Sequence, residues 1–164
     1  MRARAAPSFR LAAAADLPAL AALYANSART LGPQVYSAEQ VAAWTSFAQD
    51  TDAFAGYVLR GQTWLADDEQ GPLGFCGIEA DGEVRSLYVR AAATRQGVGA
   101  ALLAHALAQA RSHGIEHFAA WATPFSLPLF ARAGFRRVRT LREPFQGVVF
   151  ERYRVAIDPS ADDA

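Results

Sequence analysis

The fold of this chain is decided by EVRSLYV at residues 83–89 and, after a four-residue loop, by TRQGVGA at residues 94–100. The first segment follows an Asp-Gly pair at 81–82, which is typical of a hairpin turn, and its pattern predicts a strand. The second opens a segment whose apolar residues recur at helical spacing as far as His113, which predicts a long helix. A helix start offers unpaired N–H groups and the positive end of the helix dipole, and Gly97 and Gly99 have no Cβ to keep a ligand away. A strand, a short loop and a glycine-rich helix start together predict an anion site.

Two other interpretations of this stretch stay open on the residues alone. One is a tight helix entry that binds nothing, because glycine is common at helix caps. The other is a dinucleotide-binding turn, but Leu102 occupies the position of its third glycine and the loop after Val89 is too long for that motif.

The segments on either side predict a single α/β domain over residues 1–157, followed by an acidic tail at 158–164. Asp16 with Pro18 marks one helix start, and Ser37 with Gln40 forms the pattern of a capping box at another. The predicted helices cover 16–32, 38–48, 97–113 and 126–132. The predicted strands cover 8–13, 62–66, 73–80, 83–89, 115–122, 135–141 and 147–157, with a loop around Pro144 between the last two.

Composition excludes several classes of protein. The 164 residues are 52% hydrophobic and 20% charged, as in a globular protein with a core, and their formal net charge is zero. A neutral chain has no basic field for nucleic acid, and no run of 18 apolar residues predicts a membrane span, so neither partner is expected. All 16 basic residues are Arg, which excludes Walker A loops, kinase-type Lys residues and Schiff-base chemistry. The single Cys76 cannot form an internal disulfide, and the expected location is the cytoplasm.

Taken together, the motifs resemble those of the GCN5-related N-acetyltransferases, the GNAT superfamily. The matching residues are Leu87-Tyr88-Val89 at the strand end, Thr94 to Gly99 at the helix start, and Gly134-Phe135 after a later helix. The resemblance covers roughly two-thirds of the chain in order and spacing. It implies the GNAT fold, an α/β (α+β) arrangement with a mixed six- to seven-stranded sheet flanked by about four helices.

The resemblance also implies an activity and a donor. It implies an enzyme, an acyltransferase that moves the acetyl group of acetyl-CoA by direct transfer to a primary amine of a small molecule or peptide. The backbone of Leu87 and Val89 is then expected to pair with the pantetheine arm, and the N–H of Val89 to lie near the thioester carbonyl. The first position of the helix-start motif is Thr94, where the family usually has Gln or Arg. Arg95 is expected to replace that side chain in part. The amides expected to hold the pyrophosphate are those of Gln96, Gly97, Val98, Gly99 and Ala100.

The catalytic groups are less strongly indicated than the binding ones. Phe130 occupies the position where many family members have a Tyr general acid, so no acid is expected there and the ring is assigned to the cofactor-binding set. Glu83 lies fourteen residues before Gly97, the offset of the catalytic Glu in the histone-acetyltransferase branch. The alternative for Glu83 is a surface carboxylate beside the turn. Tyr88 is either a core aromatic or a site residue, because strand alternation directs it away from Leu87 and Val89.

Several expectations concern partners. A non-catalytic acyl-CoA-binding or interaction module is the alternative function, supported by the missing Tyr acid. The eight acidic residues between Asp50 and Glu83, against the single Arg60, favour a cationic acceptor, and the segments 31–37 and 143–147 are expected to set its specificity. Tyr36, Trp44 and Phe145 are expected to line an apolar slot or to belong to the core. No His/Cys/Asp/Glu spacing predicts a metal site, and homodimers are common in the family.

Overall fold

The computed structural model describes residues 6–157, so the predicted tail at 158–164 lies outside the described residues. Seven strands form one mixed sheet in the order β1-β2-β3-β4-β5-β7-β6. Strands β1 to β4 are antiparallel, β4 and β5 are parallel, and β5, β7 and β6 are again antiparallel. The strands are β1 Ser8–Leu11, β2 Gln62–Asp68, β3 Gly71–Ile78, β4 Glu83–Val89, β5 Phe118–Ala122, β6 Arg136–Phe145 and β7 Val148–Ile157.

Five α-helices cover the two faces of this sheet: α1 Leu17–Leu31, α2 Ala38–Ser46, α3 Thr51–Leu59, α4 Val98–Ser112 and α5 Leu127–Arg132. One apolar core packs α4 and α5 on one face, and a second packs α1, α2 and α3 on the other. The predicted mixed sheet and α/β class are therefore confirmed. No helix in the described part of the chain is long and apolar enough to cross a membrane.

The predicted capping box at Ser37 is present, whereas the Asp16 side chain does not cap α1 and accepts a hydrogen bond from the N–H of Ala13 at 2.8 Å. The hydroxyl of Ser37 accepts a hydrogen bond from the N–H of Gln40 at 3.1 Å, while the Gln40 side chain accepts one from the N–H of Ser37 at 2.9 Å. Helix α3 is an addition to the predicted elements. Asp50 caps it by accepting a hydrogen bond from the N–H of Ala53 at 3.0 Å.

The last two strands are longer than predicted. Pro144 lies within β6 opposite Val149, and the chain turns at Gln146 and Gly147, which have φ angles of 52° and 78°. Such a two-residue turn matches the twist of a hairpin. Proline is tolerated there because β6 is an edge strand, where the missing N–H breaks no ladder.

The feature that positions the site is the divergence of β4 from β5. These two strands pair only at Glu83 with Ala119 and at Val84 with Ala120. On the other edge of β4, Val84 and Ser86 oppose consecutive residues of β3, so Arg85 is an extra, bulged residue. A bulge bends its strand and increases the local twist. The C-terminal half of β4 therefore turns away from β5 and leaves a gap, which we call the β4–β5 gap.

Candidate active site

The edge of β4 that faces the β4–β5 gap carries free backbone groups. The N–H of Arg90, just after β4, donates to the carbonyl of Leu73 on the β3 side at 2.7 Å. Successive residues of a strand direct their N–H groups to opposite edges. The N–H groups of Leu87 and Val89 therefore point into the gap, as a substrate chain pairing with β4 requires.

The start of α4 lies at the end of the loop that follows β4. Gly97 is its N-cap, with a φ of 79°, and the first intrahelical bond runs from the N–H of Ala101 to the carbonyl of Gly97 at 3.0 Å. The N–H groups of Val98, Gly99 and Ala100 precede that bond, so they are the orphan donors of the helix. A Cβ built on Gly97 would have no atom of the described chain within 4 Å, which leaves room for a ligand at that backbone.

The loop is held by its own polar side chains. The Thr94 hydroxyl donates to the carbonyl of Ala91 at 2.8 Å, and the Gln96 amide donates to the carbonyl of Ala92 at 3.2 Å. Arg95 is exposed and has a φ of 62°. Thr94 therefore has a structural role, and Arg95 is the side chain of this loop that can carry charge to a ligand.

Gly99 is needed for packing in addition to any ligand. A Cβ there would lie 2.8 Å from Leu129 Cδ1 and 3.3 Å from Val89 Cγ2. The absence of a side chain thus lets α4 approach both β4 and α5.

We expect Gly99→Ala to lower the free energy of unfolding by about 1–3 kcal/mol, because an added methyl overpacks a filled site. Urea unfolding of the variant measures this. The double variant Gly99→Ala/Leu129→Ala removes the clashing side chain and should recover part of the loss. An unchanged midpoint in Gly99→Ala would show that α4 can shift without cost.

Phe130 is a core residue in the structure. Its side chain is 3% exposed and packs edge-to-face on Phe135 with ring centroids 4.9 Å apart. It lies in the same core cluster as Leu87 and Val89. A phenyl ring at this position supplies shape but no proton.

Glu83 lies at the closed end of the gap, where β4 and β5 still pair. Its Oε1 accepts a hydrogen bond from Nη1 of Arg154 on β7 at 2.8 Å, and both side chains are partly exposed. Among residues 6–157, nothing donates a hydrogen bond to Oε2 of Glu83. One carboxylate oxygen is therefore held in place and the other is available.

Tyr88 joins a cluster of aromatic side chains on the α1 face. Its ring lies 4.7 Å from that of Tyr24, 6.2 Å from that of Trp44 and 5.3 Å from that of Phe75. The Tyr57 hydroxyl donates to the carbonyl of the bulged Arg85 at 3.0 Å. Burial raises the pKa of Tyr88, so the hydroxyl remains protonated at neutral pH. Tyr88 is thus both a core aromatic and a polar group beside the gap.

Three of the eight carboxylates of residues 50–83 form ion pairs with arginines of the described chain. Asp67 pairs with Arg10, and Glu79 pairs with Arg60 at 2.6 Å and with Arg85 at 2.7 Å. Together with the pairing of Glu83, these contacts weaken the electrostatic argument for a cationic acceptor, which stays a prediction.

The structure adds site residues that the sequence did not indicate. Trp121 on β5 is surrounded by the guanidinium groups of Arg139, Arg152 and Arg154, at 5.4, 5.3 and 5.1 Å from its ring. Phe125, just after β5, stacks on Trp44 at 6.4 Å and lies 6.2 Å from Tyr36. Of the three predicted aromatics, Trp44 is a buried core residue, and Tyr36 and Phe145 pack against the same core. The sequence signal that could have found Arg152 and Arg154 is the alternation of side chains along β7, which places both on the same face of the sheet.

Residues 6–157 contain no group of three or more His, Cys, Asp or Glu side chains that could hold a metal ion. The His105 ring lies between those of Phe9 and Trp64, and the centroid of each is 4.5 Å from its own.

Comparison with known structures agrees with this architecture. A GCN5-related N-acetyltransferase from Rhodopseudomonas palustris, described as "Aminotransferase, Class-II", superposes with a TM-score of 0.88 at 23% identity, covering 95% of this chain and 98% of that one. PaiA N-acetyltransferase from Thermoplasma acidophilum, in complex with coenzyme A, gives 0.73 at 17% identity, with 92% and 97% covered. YncA from Salmonella typhimurium, with its cofactor acetyl-CoA, gives 0.64 at 17%, with 96% of both chains covered.

Sequence comparison assigns the family. No curated protein matches the chain. The family model described as "Acetyltransferase (GNAT) domain" matches residues 33–157, which include the gap, the α4 start and the last hairpin. The chain therefore belongs to the GNAT acetyltransferase family.

Proposed function

We propose that this protein transfers the acetyl group of acetyl-CoA directly to the primary amine of a small molecule or peptide. The observation that carries the proposal is the juxtaposition of two sets of free N–H groups: those of Leu87 and Val89 in the β4–β5 gap, and those at the start of α4. An amide-containing chain that ends in a pyrophosphate matches both sets. Structures similar in fold contain coenzyme A or acetyl-CoA, which supports this choice of donor.

The residues present fit acetyl-CoA. The N–H groups of residues 96–100, with the positive end of α4, would hold the pyrophosphate, and the open space at Gly97 admits it. Arg95 would add a positive charge from the loop. Leu87 and Val89 would pair with the pantetheine arm. When bound, acetyl-CoA supplies the acetyl group as an activated thioester.

The backbone of β4 also supplies the oxyanion donor. An N–H aimed at the thioester oxygen stabilises the negative charge that develops there. At ~3.3 Å per residue, Glu83 lies about 13 Å along the strand from Leu87 and about 20 Å from Val89. The sequence motif favours the N–H of Val89 for the oxygen, whereas the shorter path to Glu83 favours that of Leu87; the one that does not meet the oxygen would pair with the arm.

Glu83 is the proposed general base. An alkylamine with a pKa near ~10.4 is almost wholly protonated at neutral pH, so its proton must be removed before attack. The free Oε2 of Glu83 would accept it through a short chain of waters in the gap. Tyr88 cannot take this proton, because burial raises the pKa of its hydroxyl and the group is already protonated. Tyr88 instead would orient the amine by accepting a hydrogen bond from one of its N–H groups, which leaves the nitrogen lone pair free to attack.

Phe130 would pack beside the thioester without donating a proton. A thiol with a pKa near ~8.5 is a tolerable leaving group near neutral pH, so thiolate release does not depend on a side-chain acid. The absence of a Tyr acid at position 130 is also the observation that supports the alternative function, a non-catalytic acyl-CoA-binding module.

An amine panel separates these two functions. We expect release of free CoA thiol from acetyl-CoA, followed with a thiol-specific chromophore, to accelerate in the presence of at least one primary amine. The N-acetylated product is identified by mass spectrometry. Acetyl-CoA binding by calorimetry with no turnover on any amine would favour the binding module.

Direct transfer also predicts that Cys76 is a bystander. The side chain is fully buried, and burial raises the pKa of its thiol to about 12, so thiolate is scarce. Cys76→Ser should keep the acetyl-transfer rate, and the intact mass of the parent after incubation with acetyl-CoA should show no acetyl adduct.

We place this reaction in the cytoplasm, where a free buried thiol is stable. Acetyl-CoA and the amine are the partners that the site requires. A homodimer is the assembly that the family favours, and sedimentation measures it.

A further inference from the structure

Arg152 has unused hydrogen-bonding capacity at the β4–β5 gap. It lies on β7 with its side chain 33% exposed, and it forms an ion pair through Nη2 with Glu143 of β6. Its Nε is buried and has no hydrogen-bond partner among residues 6–157. A guanidinium has five donors in a planar fork, and one carboxylate contact leaves most of them for a ligand.

Arg152 lies beside β5, one of the two strands that border the gap. Its guanidinium is 5.3 Å from the ring of Trp121 on β5, and it also interacts electrostatically with the hydroxyls of Tyr88 and Tyr36. Tyr88 is the neighbour of Leu87 and Val89 on β4. Arg152 therefore lies on the β5 side of the gap and on the α1 face of the sheet, the face from which we expect the amine to approach.

The surroundings favour an anion at this point. The α1-face cluster around Trp121 contains three arginines, Arg139, Arg152 and Arg154, against two carboxylates, Glu83 and Glu143, which leaves one excess positive charge. Stacking on Trp121 restricts the guanidinium groups before a ligand arrives. Burial already lowers the pKa of Arg152, which reflects the cost of desolvating the charge and the benefit that an incoming carboxylate brings.

We propose that the acceptor is an amino carboxylate, in which a carboxylate close to the reacting amine binds Arg152. The rings of Tyr36, Trp44 and Phe125 pack on one another on the same face of the sheet, and they favour an acceptor with an apolar or aromatic side chain, such as a free amino acid. This inference rests on the proposed acetyl transfer, and it names the class of acceptor.

Matched substrates test the proposal. L-phenylalanine and phenethylamine share the amine and the ring and differ in the carboxylate. A hydrogen bond to a charged group corresponds to about a 10- to 100-fold preference in kcat/KM for the amino acid over the amine. In Arg152→Gln this ratio should fall towards one, with the change mainly in KM for L-phenylalanine, and Arg152→Lys should recover part of it.

The control variant is Arg137→Gln. Arg137 lies on the same hairpin and stacks on Tyr153 at 4.3 Å, but Tyr153 belongs to the α4-side core, on the other face of the sheet. Its selectivity ratio should equal that of the parent. A ratio near one in the parent, or an equal loss on both amines in Arg152→Gln, overturns the proposal.

A binding measurement separates this proposal from the proposed function. The probe is 3-phenylpropanoate, which has the carboxylate but no amine, titrated calorimetrically into the protein in the presence of CoA. Binding that weakens at least tenfold in Arg152→Gln supports the carboxylate site even when no amine is acetylated. Turnover of amines without a carboxylate preference and without binding of the probe retains the acetyltransferase and rejects the amino carboxylate.

Discussion

Replacing Glu83 by Gln should lower the rate of acetyl transfer to an alkylamine by about 10²–10⁴-fold at neutral pH. The substitution keeps the shape of the side chain and removes the group that accepts the amine's proton. The affinity for acetyl-CoA should hardly change, because the Leu87 and Val89 edge and the α4 start are untouched. Steady-state kinetics with calorimetry on the same preparations measures both quantities.

The pH dependence separates a base from a structural carboxylate. As pH rises towards the amine's own pKa, free amine becomes abundant and a base is needed less, so the loss should shrink. A pH–rate profile that parallels the parent at a constant offset, or overlays it, rejects the base role. Glu83→Gln also breaks the ion pair with Arg154, so its thermal midpoint is measured alongside.

Glu151→Gln is the matched control for this experiment. Glu151 is an exposed carboxylate of β7 that accepts a hydrogen bond from the Tyr153 hydroxyl at 3.0 Å. The same loss of charge there should leave both the rate and its pH profile at the parent's values. A comparable fall in this control would indicate a general effect of charge.

A carboxylate at the start of α4 should sharply weaken acetyl-CoA binding. Ala100 is exposed in the first turn of α4, so Ala100→Glu adds negative charge beside the proposed pyrophosphate site without filling a core position. Like charges about 4 Å apart repel by roughly 1–4 kcal/mol between water and a partly buried environment. The expected loss of affinity is therefore about tenfold or more, measured by calorimetry.

Fold stability should not explain that loss, because an acidic residue near a helix N-terminus is stabilising. Ala108→Glu is the control: it is an exposed alanine of α4, about 12 Å further along the axis at 1.5 Å per residue. At that distance, salt screens most of the repulsion between the introduced carboxylate and the pyrophosphate. Equal affinities in the two variants would move the pyrophosphate away from the α4 start.

The local elements of the site could be predicted because their signals are local. A hairpin turn at Asp81-Gly82, a glycine at the α4 cap and the capping box at Ser37 each depend on backbone preferences and on neighbours within four residues. Helix α3 was not predicted, although Asp50 caps it. The helix has only nine residues, which is too short for a clear helical pattern of apolar residues. The prediction of a loop around Pro144 was wrong. Proline usually indicates a loop, but an edge strand such as β6 tolerates it.

Residues 83–100 therefore contain the family motif of strand, loop and glycine-rich helix. This motif predicts the fold and the proposed acetyl-CoA site. The bulge at Arg85, the Glu83–Arg154 ion pair across 71 residues and the arginines around Trp121 were decided only by tertiary structure. These contacts depend on which strands become neighbours, and β7 reaches β5 only after the chain has passed through α5 and β6. A charge pattern along the chain records how many carboxylates there are, but the folded sheet decides which arginine each one meets. The proposed donor site follows from local sequence, and the proposed acceptor site from long-range pairing.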